Sequence, residues 1–364
     1  MSSPSPNHSN DSPYYTIAIT GASGVVATSL IDELTSGKTD RIINGKPLKI
    51  IKLIRSSSIK PPKIDNDKEL VSTLPWNPNP DVGADTIDKS ALESIDTVLH
   101  LAGENIANGL VPVIGPLGLR PWSDAKKDLI LTSRTRSTEA LARAISQCST
   151  PTNFLVASGI SIYGCDAVAP ENAEHDSIKP ADEGTDVSST TGFLPEVSRM
   201  WESASVLQKI AENEHGRSRV VNFRFGVVLS KKGGALAKLY PVFYLGGGGI
   251  VGTGRQYFPY ISARDAARAI VHTMETSTLE GPVNVIAPTP ATNSELTRAL
   301  GKVLWRPTFL PLPEFVVKLA FGEMGEETLL GGTKAVPKKL IDSGFEFKHN
   351  TITEACESAI KESI

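Results

Sequence analysis

The residues best suited to chemistry begin at Gly21. The string Gly21-Ala22-Ser23-Gly24-Val25-Val26-Ala27 follows an apolar run, Tyr15–Thr20, and opens a stretch of helical spacing. Gly21 permits a sharp turn out of a strand, Gly24 lets the backbone approach a ligand with no Cβ in the way, and Ala27 keeps the helix close to the sheet. The free N–H groups at the head of that helix can then hold a diphosphate, with Gly21, Ser23, Gly24, Val25 and Val26 as the cradle. At the first strand-to-helix junction of a chain, this spacing signals a dinucleotide.

The second strand, Leu48–Ile54, runs into Arg55-Ser56-Ser57-Ser58, with no carboxylate where the ribose hydroxyls of NAD would be bound. A guanidinium and hydroxyls there suit a 2′-phosphate, so the expected cofactor is NADP(H), with NAD(H) disfavoured. The alternative for Arg55 is a solvated strand end. Further along lie groups that can move protons or hold a substrate. Glu104 stands beside an apolar segment, where burial can raise a carboxyl pKa enough to make it an acid. It is equally a surface or capping carboxylate. Tyr163 follows a strand and precedes Gly164, as a phenolic proton donor or a packing residue. Arg224, and Arg255-Gln256 in a Gly-rich loop, have donors that fit an anionic or polyhydroxyl small molecule, or else a structural ion pair. Ser262-x-x-Asp265 reads as a helix cap. The three cysteines, Cys148, Cys165 and Cys356, form no close pair and no His/Cys cluster, which gives no metal site and no disulfide framework.

These groups need elements to position them. Short β-branched or aliphatic runs alternate with longer helical stretches, the signal for a doubly wound α/β fold with a parallel sheet of Rossmann type. The strands expected are 15–20, 48–55, 97–101, 153–158, 219–228 and 282–287, and the helices 24–34, 123–146, 193–211 and 262–274. Thr292-x-x-Glu295 and Thr351-x-x-Glu354 each predict a capping box. Residues 1–13 read as a disordered tail and 14–230 as the dinucleotide-binding domain, to which strand 282–287 returns. Residues 231–364 make a smaller, mainly helical substrate-side lobe, with 293–364 as its C-terminal module. Asn108–Arg120 is apolar and broken by Pro112 and Pro116, so it is a loop, either a lid over the site or a surface loop packed on helices.

Composition narrows the classes. The chain has 364 residues, 40% hydrophobic, with 37 basic and 40 acidic side chains and a net charge of −3. It can bury a large core, and it lacks the basic runs that would draw nucleic acid or anionic lipid. No apolar run approaches the roughly 20 residues that cross a bilayer. The first thirteen residues contain no Lys or Arg and no apolar block, unlike a secretory or organellar leader, and the expected location is cytoplasmic. The oligomeric state is left open.

Taken together, Thr20-Gly-Ala-Ser-Gly-Val-Val26, Val98-Leu-His-Leu-Ala-Gly103-Glu-Asn-Ile106 and Phe154-Leu-Val-Ala-Ser158-Gly-Ile-Ser-Ile-Tyr163-Gly164 resemble the extended short-chain dehydrogenase/epimerase superfamily. Ser133-Arg-Thr-Arg-Ser-Thr138, Trp201-Glu202, Arg224-Phe-Gly-Val-Val-Leu229, Gly233-Gly-Ala-Leu-Ala-Lys238, Gly252-x-Gly-Arg-Gln256 and Ala287-Pro288 look like an atypical epimerase-like subfamily of the cell-division-inhibitor type. Its C-terminal module of unknown function is matched by Gly322-Glu-Met324, Leu329-Leu-Gly-Gly332 and Pro337-Lys-Lys-Leu340. The resemblance spans about residues 14–360. It implies that residues 21–26 cradle the pyrophosphate and that Arg55 faces the adenosine end. It further implies that Leu101, Ala102 and Gly103 line the sugar and nicotinamide side, with Ser158 near the nicotinamide.

The chain departs from that superfamily where proton transfer should occur. A working member pairs a Tyr with a Lys four residues later on the helix after Ser158. The segment Phe193-Leu-Pro-Glu-Val-Ser198-Arg-Met-Trp201-Glu202 contains neither. The active-site Ser position falls on Gly159, and Ser262 stands where the subfamily usually has His. Two readings follow: an NADP(H)-dependent oxidoreductase or epimerase on a small polar molecule, using Tyr163 or Glu104 for proton exchange, or a catalytically degenerate NADP(H)-binding scaffold or regulator.

Overall fold

A computed structural model describes residues 12–35, 41–55, 70–79, 86–106, 121–150, 152–169, 178–206 and 218–361. Residues 1–11 of the expected tail, Ser56–Ser58, the loop Asn108–Arg120 and the end of the third expected helix lie outside the described residues.

In chain order the first half comprises β1 (Tyr15–Thr20), α1 (Val25–Thr35), β2 (Ile42–Ile43), β3 (Lys46–Arg55), β4 (Val71–Trp76), α2 (Lys89–Glu93), β5 (Thr97–His100), α3 (Asp124–Ser146) and β6 (Asn153–Gly159). A 3₁₀ turn at Ile160–Tyr163 follows, then α4 (Phe193–Val206), β7 (Val220–Phe225) and β8 (Val227–Leu229). The second half comprises α5 (Gly234–Tyr244), β9 (Tyr260–Ser262), α6 (Ala263–Glu275), β10 (Gly281–Val285), α7 (Asn293–Leu304), α8 (Glu314–Gly325), α9 (Lys338–Asp342) and α10 (Ile352–Lys361).

The main sheet runs β10-β7-β6-β5-β1-β3, with β2 and β4 sharing the outer edge of β3, and every pairing except β2 with β3 is parallel. All six residues of β1 are buried, as a strand covered by helices on both faces requires. On one face α1 and α6 enclose Leu30, Leu34, Ala266 and Ile270, joined by Leu340 and Phe345 from the C-terminal module. On the other, α3 and α4 bring Leu141, Ile145 and Trp201 against Val98 and Phe154. α6 and the α9 region, both beyond residue 230, also pack into this main core. The smaller lobe has a core of its own, with Leu236, Phe243, Leu300 and Cys356 contributed by α5, α7 and α10.

Several elements depart from expectation for identifiable reasons. The strand expected over 219–228 breaks at Gly226, where a Cβ would lie 2.7 Å from Ile286 and 2.8 Å from the Pro259 carbonyl oxygen. The chain crosses there into a separate two-stranded sheet, β8 with β9. β4 is absent from the expected strands, and it contains Pro75, a residue that central strands exclude. On the outer edge of β3, Pro75 can pair in register with Ile54. Both capping boxes form: Thr292 and Glu295 exchange bonds at α7, and Thr351 and Glu354 do so at α10.

Candidate functional site

From β1 the chain passes to β3 on one side and returns to β5 on the other, so the topological switch of the sheet lies outside Thr20 and His100. Ligands of open parallel sheets bind in that crevice. Gly21 turns the chain into it at φ +65°, and a Cβ there would lie 2.9 Å from the Leu101 carbonyl and the Ala102 nitrogen. Gly24 N–H closes the turn on the Gly21 carbonyl at 2.9 Å. Ser23 and Gly24 are exposed, Val25 and Val26 half-buried, and α1 has no acidic residue in its first turn. The loop before α5 presses on the same place, since a Cβ on Gly233 would sit 2.5 Å from Val25. Exposed first-turn amides with no carboxylate competing for them fit a diphosphate.

The opposite wall is built by Thr20. Its hydroxyl accepts from the Leu101 and Ala102 amides at 3.1 and 3.2 Å and lies 2.7 Å from His100 Nδ1. With those amides on its lone pairs, the hydroxyl hydrogen points at Nδ1, which assigns the ring proton to Nε2. Nε2 meets Ser137 Oγ at 3.1 Å, and Ser137 donates to the Ser133 carbonyl at 2.7 Å. Burial, with the Arg134 charge nearby, pushes the His100 pKa down to about 3, so the imidazole stays neutral. Thus Leu101, Ala102 and Gly103 come to lie beside the glycine turn, held by a buried network that the sequence did not reveal. Arg134 packs under Gly103 and over the Trp201 ring.

Glu104 follows at the mouth. Its side chain is 28% exposed and bridges Lys126 Nζ, in the first turn of α3, at 2.6 Å. Trp122 donates to the Ile106 carbonyl and stacks edge-on against Phe193, the first residue of α4. Lys238 of α5 lies near Lys126, and burial together with that like charge lowers its pKa.

Ser158 and Tyr163 join one hydrogen-bonded cluster, with Ser158 buried and Tyr163 half-buried at a cavity it lines with Ile178, Asp182 and Lys334. Ser158 Oγ donates to Glu202 at 2.8 Å and is 3% exposed. Arg224 holds the same carboxylate with Nε and Nη2 at 2.8 and 2.9 Å, and its Nη1 donates to the Tyr163 hydroxyl at 2.7 Å. Tyr163 donates onward to Asn284 on β10 at 2.8 Å. Register explains the cluster: Ser158, Arg224 and Asn284 stand side by side on β6, β7 and β10 and share one face. Burial pushes the Tyr163 pKa up to about 12 against the pull of Arg224, so the phenol stays protonated at neutral pH. Of the alternatives open for Arg224, the structure realises the structural ion pair. Gln256 is likewise internal, 3% exposed, donating to the Val251 and Leu329 carbonyls, and thus braces the lobe rather than presenting donors to a substrate. Arg255 is half-buried, with its carbonyl accepting from Ala169. Arg55 is exposed at the end of β3.

At Gly159 a Cβ would meet Ser198 Oγ at 2.8 Å and Ser161 Oγ at 3.1 Å, so two hydroxyls from elsewhere fill the expected serine's place. The head of α4 is capped from a distance: Glu327 accepts from the Phe193 and Leu194 amides at 2.6 and 2.7 Å. Burial raises the Glu327 pKa, partly offset by these two bonds. The Ser262-x-x-Asp265 cap forms through Ser262, which accepts from the Asp265 amide, while the Asp265 carboxylate accepts from the Lys348 and His349 amides. Ser262 also contacts His349 Nδ1 at 2.8 Å, so an imidazole reaches this place from the C-terminal module.

A parallel sheet with its glycine turn at the switch point, and helices on both faces, is the Rossmann class of dinucleotide fold. An epimerase family protein of Mycobacterium bovis is 35% identical over 341 residues, covering 93% of this chain and 95% of its own. The epimerase family protein SDR39U1 of Bos taurus is 34% identical, covering 80% of this chain and 91% of its own. The chain belongs to this epimerase family, an atypical branch of the short-chain dehydrogenases. Residues 312–359 match a domain of unknown function, DUF1731. A crystal structure of human SDR39U1 with NADPH superposes with a TM-score of 0.69 at 26% identity, covering 95% of this chain and 99% of that one.

Proposed function

We propose that the chain binds NADP(H) across the switch-point crevice and uses it on a small polar substrate, with Glu104 and Lys126 as the proton-exchanging pair. The carrying observation is placement. Glu104 comes directly after the Leu101-Ala102-Gly103 wall with its side chain 28% exposed, whereas Ser158 and Tyr163 are engaged by Glu202, Arg224 and Asn284. A bound nicotinamide supplies hydride chemistry. The chain's part is to hold the diphosphate on the amides of residues 21–26, to place Arg55 toward a 2′-phosphate, and to deliver or remove the matching proton at Glu104 Oε1, with Lys126 holding that oxygen. The human relative crystallised with NADPH supports the choice of cofactor.

A second reading, a cofactor-binding scaffold without turnover, is favoured by the engagement of Ser158, Tyr163 and Arg224 in one hydrogen-bonded cluster. The experiment is NADPH oxidation by the purified protein against carbonyl compounds and nucleotide sugars, with Glu104→Gln and Tyr163→Phe variants. Loss of turnover in Glu104→Gln with NADPH affinity retained supports the enzyme. Binding without turnover across the panel leaves the scaffold.

A further inference from the structure

The Glu104–Lys126 pair stands on a small apolar cluster that includes Ile106, Trp122, Ile130 and Phe193. Ile106 follows Glu104 closely in the chain, and Trp122 immediately precedes Ser123, whose hydroxyl caps α3 by accepting from the Lys126 amide. Trp122 donates to the Ile106 carbonyl at 2.9 Å and meets the Phe193 ring edge-on, with 5.0 Å between centroids. Both members of the pair are thus rooted in one cluster.

The C-terminal module grips that cluster at three points. Glu327 accepts from the Phe193 and Leu194 amides at 2.6 and 2.7 Å, so the first turn of α4 is capped by a carboxylate from outside its own neighbourhood. Gly192, at φ +113°, leaves the room, since a Cβ there would lie 3.0 Å from Glu327 Oε1. Glu323 receives Lys127, in the first turn of α3, on both oxygens at 2.9 Å, and the same ammonium lies 4.7 Å over the Phe193 ring. Trp122 also packs on Val317, Phe321 and Met324, the apolar cluster of the module. Two irregularities accompany these contacts. Gly322 breaks α8 at φ 53° and ψ −140°, where a Cβ would lie 3.2 Å from Pro121, and Glu326–Leu330 then forms a π turn. Such geometry persists where the surroundings over-determine it, and it gathers at functional sites.

We infer that the C-terminal module clamps the mouth of the crevice, with Glu327 as the positioning residue that holds Glu104 and Lys126 in place through Phe193 and Trp122. The consequence for turnover rests on the proposed reading of that pair, whereas the clamp itself does not. A local cap would have served α4 alone, as Ser123, Ser262 and Thr292 serve their own helices. A cap drawn from 134 residues away ties the head of α4 to the docking of the module.

Hydrogen exchange on the full chain tests this, because it reports each segment separately. Glu327→Gln keeps the side chain's size but turns an NH2 group toward one of the two amides, which is left unbonded. Exchange should rise about tenfold at residues 193–197, as loss of a cap bond implies, and about threefold or more at 103–106, where the Glu104 amide is bonded to Ser133. Glu323→Ala removes the second grip from a partly exposed position and should also speed exchange at 103–106, which decides the matter should Glu327→Gln fail to fold. Lys318→Met, at an exposed position of α8, should change neither segment. NADPH affinity in Glu327→Gln should stay within about twofold, the glycine turn being untouched, while kcat falls about tenfold through misplacement of the pair. A wild type without turnover would remove the catalytic reading and leave the exchange result to support the clamp. No rise at 103–106 in either folded variant overturns the inference, and a rise confined to 193–197 would reduce Glu327 to an ordinary helix cap.

Discussion

The mouth of β1 and β5 and the face shared by β6, β7 and β10 belong to one sheet yet treat polar atoms in opposite ways. At the mouth, Thr20 and His100 are consumed in holding the Leu101–Ala102 backbone beside the glycine turn, where Ser23 and Gly24 are exposed. On the other face Ser158, Glu202, Arg224, Tyr163 and Asn284 satisfy one another and leave little for a ligand. A fold can keep cofactor recognition in its backbone while its side-chain chemistry goes over to structure, because the two reside in different atoms.

Breaking the Glu202–Arg224 cluster should have the largest effect. Arg224→Ala strands the Glu202 carboxylate, which is 14% exposed, and is expected to destabilise the fold by about 3–5 kcal/mol in chemical denaturation. An Arg224→Met, Glu202→Leu double variant should recover much of that loss. Recovery of none would show that the pair does more than satisfy itself.

At the mouth, Gly21→Ala should abolish dinucleotide binding by at least ~100-fold, about 2.7 kcal/mol, in calorimetry with NADPH, while the protein stays folded. The cause is a Cβ at positive φ facing the Leu101–Ala102 backbone. Undiminished affinity would move the cofactor away from the glycine turn.

The His100 support predicts a pH window. Its folded pKa of about 3 lies below the ordinary 6.5, so the unfolded chain binds the extra proton between those values. Stability should therefore hold above pH 6.5 and fall as the pH drops toward 3, by up to ~1.4 kcal/mol per unit from this group. His100→Asn should flatten that part of the curve. The smallest effect expected is in selectivity: Arg55→Ala should reduce the preference for NADPH over NADH about tenfold, one lost charge-assisted contact. Equal affinities in the parent protein would remove the basis for this prediction.

Much of the fold was legible from local pattern. Ser262 and Thr292 cap helices where the sequence places caps, and β1 and α1 fall where the Gly-x-x-Gly-x-x-Ala spacing requires. What escaped is non-local. β4 depends on which edge of β3 lies open, and the partner of Arg224 stands 22 residues away in sequence. The Glu327 cap on α4 spans 134 residues. Lys126, the partner of Glu104, had only its position in the first turn of a helix to recommend it.

By itself the sequence determined the turn that can take a phosphate, the alternation of strands and helices and the residues that stop and start them, because each depends on backbone needs within a few neighbours. The tertiary structure alone decided which of Ser158, Tyr163, Glu104 and Arg224 meets solvent and which carboxylate caps α4. Exposure and pairing are set by elements far apart along the chain, and no local spacing encodes them.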